Sequence, residues 1–128
     1  LELGLGLAAN GAFDTDTVWV KGTGWAISGG TATKTAGTAS TISQPITVSD
    51  GVSQQVTFTI SGYSAGTLTP QLTGGTTRAG FSVSANGTYT QIINAAAGNT
   101  AFALSANSTF SGSVDNLSVR ALTAQEAF

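Results

Sequence analysis

The chain has 128 residues, four of them basic and six acidic, for a formal charge of −2, and it contains neither cysteine nor histidine. That length fits one domain in which about two thirds of the extended chain's surface can be buried, so a core can form without disulfide staples. The two absences exclude thiol chemistry, a serine–histidine–aspartate triad, and zinc held by histidine or cysteine.

Lys21, Lys34, Arg78 and Arg120 are scattered, whereas nucleic-acid binding needs grouped cations to displace counterions. No segment approaches the roughly 20 apolar residues of a membrane-spanning helix, and none is a polybasic amphipathic stretch. Neither nucleic acid nor membrane is therefore expected as a partner. Only 8% of residues are charged, so the surface must be built from Ser, Thr and backbone, a composition that suits strands. So little charge gives weak colloidal repulsion, which is tolerable in a module held within a larger assembly. Methionine is missing even at position one, so the chain is expected to be processed or a piece of something longer. Its apolar start lacks the basic residues of a signal peptide.

Leu1, Leu3, Leu5 and Leu7 alternate with Glu2, Gly4 and Gly6, which places four leucines on one side if this segment is extended. Two readings follow for residues 1–9: a first strand covering a core, or an arm that pairs with a neighbouring subunit. After the Asn10-Gly11 turn signal, Thr17 to Lys21, Trp25 to Ile27, Thr31 to Thr35 and Ser40 to Gln44 read as short strands. Pro45 belongs at a strand start or edge, and Ile46 and Val48 alternate towards an Asp50-Gly51 turn. Gln54 to Ser61 is the clearest strand, with Val56, Phe58 and Ile60 on one face and Gln55, Thr57 and Thr59 on the other. Leu68 to Leu72 continues the period of two. Phe81 and Val83 lead into the Asn86-Gly87 hairpin signal, and Thr88 to Ile93, Thr100 to Leu104 and Val114 to Val119 complete the set. Eight to ten short strands and no capped helix predict an all-β, antiparallel, jelly-roll-like β-sandwich over residues 10–120. Residues 121–128 are expected to form a frayed tail.

Asn10-Gly11-Ala12-Phe13-Asp14, then Trp19, then Gly24-Trp25-Ala26-Ile27-Ser28 resemble the opening of jelly-roll carbohydrate-binding modules of the galactose-binding-like group. Gly112 to Val119 resembles their closing strand, with Asn116 standing where the family carries a second acidic residue, and Val56 to Ile60 stands where they have a central core strand. Closer still is the resemblance to bacteriophage structural modules of this type, found in head decoration, fibre and tail-associated proteins. It rests on Thr23 to Ala32, Ser61 to Gly66 and Ser84 to Thr90. The resemblance implies a non-enzymatic domain of a phage virion, displayed on the virion surface and contacting other virion proteins or copies of itself, with bacterial surface glycan as a secondary partner. The alternative is a carbohydrate-binding module of an extracellular bacterial protein.

Glycan hydrolysis would need two carboxylates about 5–10 Å apart. Only Asp14, Asp16 and Asp115 lie outside terminal segments and the Asp50 turn, and no lysine or histidine stands near them in sequence to serve as a base, so no enzyme is expected. No cofactor is required. The same three aspartates, with carbonyls from Asn10 to Phe13, offer oxygen ligands for a structural calcium, and the resemblance places such an ion between Asp14 and Asp115. Against it stands a plainer reading, in which Asp14 and Asp16 cap their own loop and Asp115 accepts backbone donors at a bulge. Trp19, Tyr63 and Tyr89 are the candidates for stacking on sugar rings, whereas Trp25, in phase with Ile27, is expected in the core. Trp19 alternates with Val18 and Val20, so either the indole or the two valines must face outward. The sequons at Asn86, Asn107 and Asn116 are cheap in a Ser/Thr-rich chain and carry no weight.

Overall fold

The computed structural model describes residues 2–123, and the side chains of residues 6–122. Eleven strands form there, where eight to ten were expected, and none of these residues is helical. They are β1 (Glu2–Gly6), β2 (Val20–Lys21), β3 (Trp25–Ser28), β4 (Thr31–Lys34), β5 (Ser40–Pro45), β6 (Ser53–Ala65), β7 (Leu68–Thr73), β8 (Arg78–Ala79), β9 (Gly87–Asn94), β10 (Ala101–Ala106) and β11 (Ser111–Thr123).

Two antiparallel sheets result, and the fold is a β-sandwich. One has the order β3-β4-β11-β6-β9 with β1 also paired to β11, and the other the order β2-β5-β10-β7-β8. From β4 to β7 the chain passes from one sheet to the other at every strand, and it does so again from β8 to β11, the jelly-roll habit. The period-two patterns decide which side chains meet between the sheets. Val56, Phe58 and Ile60 of β6 face Leu68 and Leu72 of β7 and Phe102 and Leu104 of β10, all within one buried cluster.

The longest strands, β6 and β11, form the centre of the larger sheet. They pair from Ser111 opposite Ala65 to Ala121 opposite Gln54, with an extra residue between Asp115 and Ser118. At that bulge Asn116 takes φ 52°, a left-handed conformation that asparagine tolerates better than most residues. The bulge restores phase, so that Val114 before it and Leu117 and Val119 after it are all buried. β4 covers the opposite edge of β11 at Gly112–Val114 and β1 covers it again at Arg120–Thr123. Between them, Leu7 donates to the Val119 carbonyl and Leu117 donates to Gly11.

Two expectations change here. Residues 121–123 continue β11 rather than fraying, because the backbone of β1 pairs with them, while 124–128 lie outside the described residues. Val83 makes only an isolated bridge to Leu68, and the strand beside β7 is instead β8. Pro70 explains that irregular edge. Its carbonyl faces Gly80, which donates to it at 2.8 Å, so its ring nitrogen faces the same irregular stretch, where no ladder donor is required.

Gly11 lies so close to β11 that an added Cβ would overlap the Leu117 carbonyl, whereas at Gly29, φ 61°, a Cβ would meet open space. Gly11→Ala should therefore cost about 3 kcal/mol, from overpacking and a weakened peptide hydrogen bond. Gly29→Ala should cost about 1 kcal/mol of left-handed strain. Urea denaturation of the two variants checks the order.

Candidate functional site

Trp19 is buried, which corrects its place among the stacking candidates. Its ring stacks on Phe13 at 5.2 Å between centroids and meets Phe102 edge-on at 6.4 Å, and its indole N–H donates to the Asn10 carbonyl at 3.1 Å. Sealing so large a ring between the sheets outweighs burying two valines. Val18 and Val20 are consequently 51% and 63% exposed. Val18 also takes φ 75° in a turn closed by Trp19 N–H donating to the Thr17 carbonyl, a strained conformation for a β-branched residue.

Tyr63 and Tyr89 are half-buried, and each closes its own turn. The Tyr63 hydroxyl donates to the Gly66 carbonyl at 2.9 Å while its ring lies 6.2 Å from Phe110. The Tyr89 hydroxyl donates to the Ala85 carbonyl at 2.7 Å and its ring lies 5.7 Å from Phe58. Neither ring stands free as a platform. Trp25 is buried, as its phase with Ile27 implies.

The three aspartates are not brought together. Asp16 forms an ion pair with Lys21 at 2.6 Å, Asp14 is exposed on the loop, and Asp115 accepts the N–H of Asn116 at 2.7 Å in the bulge. The alternation of β11 turns Asp115 to the outer face while its neighbours Val114 and Leu117 face the core. Among the described residues no group of three or more His, Cys, Asp or Glu side chains is arranged to hold a metal ion. The loop around Asn10 is held instead by the Asn10 amide, which donates to the carbonyls of Thr15 and Thr17 at 2.7 and 3.0 Å.

The leucine segment divides as far as the described residues reach. The backbone of Glu2–Gly6 pairs with β11 of the same chain, the arrangement of a first strand, and Leu7 packs against the core. Leu1 and the side chains of Leu3 and Leu5 lie outside the described residues.

What the sandwich presents outward falls into two kinds of surface. The faces are hydroxylated, and on the larger sheet the hydroxyls pair across strands: Thr33 with Ser113 at 2.8 Å, Thr59 with Thr88 at 2.9 Å and Thr57 with Thr90 at 3.2 Å. Such pairs satisfy the hydroxyls without charge. The edge strands and their connections add exposed apolar side chains beside charged ones: Val18 and Val20 stand next to the Lys21–Asp16 pair at the β2 flank, Phe81, 79% exposed, follows Arg78 of β8 by three residues, and Ile92, 52% exposed, lies on the outer face of β9 in line with Thr88 and Thr90. The Asn86-Gly87 signal that Phe81 and Val83 lead into makes no hairpin, because β8 and β9 lie in different sheets, and Phe81 stands on the connection between them. It faces out because the Gln91 amide accepts its N–H and donates to its carbonyl, holding the segment across the open edge between sheets. Gly80, immediately before it, is the sequence signal that the strand is broken there. No pocket opens among the described residues.

Trp19→Ala should cost about 3–5 kcal/mol as a core truncation, read by urea denaturation, where an exposed platform residue would cost less than about 0.5 kcal/mol. No protein-family model matches the chain, and no curated protein matches it in sequence.

Proposed function

We propose that this domain is a non-enzymatic structural module of a phage virion, carried at the particle surface on the capsid or on a fibre or tail, where it stabilises or ornaments the assembly. The observation that carries this reading is a surface whose sheet faces are dominated by hydroxyls and whose edge strands and connections expose large apolar side chains, Phe81 above all. A side chain as large as Phe81 left 79% exposed in a chain of such low charge favours a module that is normally covered there. The phage assignment rests on the resemblance of the phrases at Thr23–Ala32, Ser61–Gly66 and Ser84–Thr90.

The two flanks differ in their residues, so a contact between copies that joins one flank to the other is heterologous and closes into rings when the rotation allows. β1 is paired within its own chain, which moves the expected point of attachment from the leucine segment to these flanks. A carbohydrate-binding module is the second reading, and Phe81 is the feature that favours it, as the aromatic ring placed to stack on a sugar.

Phe81→Ser should reduce self-association or incorporation into particles more than tenfold, as the loss of a buried aromatic anchor does, and should leave folding stability within about 0.5 kcal/mol. Sedimentation velocity and particle incorporation read the first, urea denaturation the second. Unchanged assembly in the Phe81→Ser, Val20→Ser double variant would remove the flanks as attachment surfaces. A glycan-array signal lost in Phe81→Ser would favour the carbohydrate-binding reading.

A further inference from the structure

Lys34 has no exposed surface, and it lies in β4 directly opposite Trp25 of β3 and Gly112 of β11. Its alternation with Ala32, also buried, points it between the sheets. An ammonium group has three hydrogens to donate, and among the described residues the acceptor for Lys34 Nζ is a single carbonyl, that of Thr35, at 2.7 Å. No carboxylate pairs with it among those residues. Trp25, only 6% exposed, carries an indole N–H that is buried with no hydrogen-bond partner. Opposite residues on one face of an antiparallel pair hold their Cβ atoms about 5 Å apart, so the Lys34 and Trp25 side chains leave the sheet side by side towards the core. Phe110 packs there, with its ring 6.4 Å from that of Trp25.

The chemistry of the side chains here is one-sided: the unpartnered atom is a donor, and the group beside it is an ammonium with one acceptor for its three hydrogens. The other buried polar atom without a partner, Gln54 Oε1, is the wrong kind and lies far away, since Gln54 pairs with Ala121 while Lys34 pairs with Gly112, at opposite ends of β11. A water could accept from both donors, but it would leave the buried charge uncompensated and would bring two hydrogens needing acceptors of their own. An anion meets both demands. Both donors belong to the packed core, so a monatomic anion is the occupant that asks for the least space. Nζ lies directly beneath exposed Gly24, where an added Cβ would sit 3.2 Å from it.

We propose that Lys34 and Trp25 form an internal binding site for one monatomic anion of chloride size. The ion accepts from Nζ and from the Trp25 indole and neutralises the buried charge at the end of the sandwich formed by Gly24, Thr35 and Phe110. The site is independent of the flanks and of the virion reading.

The test replaces gluconate by chloride at constant ionic strength and follows thermal unfolding. A saturable rise in Tm is expected, together with broadening of the chloride NMR line by folded protein that bromide displaces, and quenching of Trp25 fluorescence by iodide in a Trp19→Phe background. Lys34→Met should abolish the chloride response, and Trp25→Phe should weaken chloride about tenfold, the loss of one hydrogen bond to a charged acceptor. Equal melting in chloride and gluconate with an unbroadened line would overturn the proposal and leave a buried water as the partner of both donors. A chloride response that survives in Lys34→Met would place the ion elsewhere and equally overturn it. Should Lys34→Met fail to fold, the line width and iodide quenching of the Lys34-containing protein decide alone.

Discussion

A single side-chain amide settles how the first part of the chain is attached. Gln44, buried on β5, accepts the N–H of Ala9 and donates to its carbonyl, both at 2.8 Å, and so presents to Ala9 the two groups that a neighbouring strand would present. This clamp crosses from the smaller sheet to the segment that runs beside β11 of the larger one. Everything downstream depends on it: Gly11 settles against Leu117, Phe13 enters the core, and Asn10 offers its carbonyl to Trp19. At the other flank Gln91 repeats the device on Phe81, and near the base of the sandwich buried Asn99 donates to the Gly74 and Thr76 carbonyls and accepts from Ala96. In a protein with so little charge and no disulfide, neutral amides bind irregular backbone to the ordered sheets. They do so without the desolvation penalty of buried ions.

Burying Trp19 by way of this anchored loop has a local cost, which the structure places at Val18. The turn that swings the indole inward forces a β-branched residue to positive φ and leaves it exposed. Strain of this kind persists only where surrounding contacts over-determine it, and here the Phe13–Trp19–Phe102 stack and the indole hydrogen bond do so. The apolar surface at the β2 flank is thus a by-product of core formation as well as a candidate contact, and the two roles act on the same three residues.

The fold was legible wherever alternation ran long enough to be tied to a face. Val56, Phe58 and Ile60 fix β6, whereas Asn86-Gly87 has the chemistry of a hairpin turn but leads from one sheet to the other, which no local signal reveals. Where alternation is short, phase is ambiguous. Val18-Trp19-Val20 fits either orientation, and the decision comes from Phe13 and Asn10, which no local pattern connects to it. Phe81 and Val83 have strand phase, but a clamp from Gln91, ten residues on, turns Phe81 outward. The aspartates illustrate the limit for sites. Their proximity depended on the face that Asp115 occupies, and a single extra residue at Asn116 sets the phase on each side of it. Lys34 gave no signal at all, since a lysine ending a Thr-rich strand reads as solvated until the register sets it opposite Trp25.

The pairing of β1 and β4 on one edge of β11, with β6 along the other, has a consequence for how the domain is made. β11 is the last strand among the described residues, yet β1, β4 and β6 each need it as a neighbour, so the larger sheet has no complete centre until the ribosome has delivered it. The smaller sheet can assemble sooner, because β5, β7 and β10 all precede β11. During synthesis the inner face of that half-sandwich, with Ile42, Leu72, Phe102 and Leu104, can be covered only by the separate β3–β4 and β6–β9 pairs, which nothing joins before β11. At translation rates of about 5–20 residues per second, the interval lasts on the order of a second and is set by the position of one strand in the chain. Closure then joins first and last strands in one step, the high-contact-order route by which β-sandwiches fold slowly and all at once.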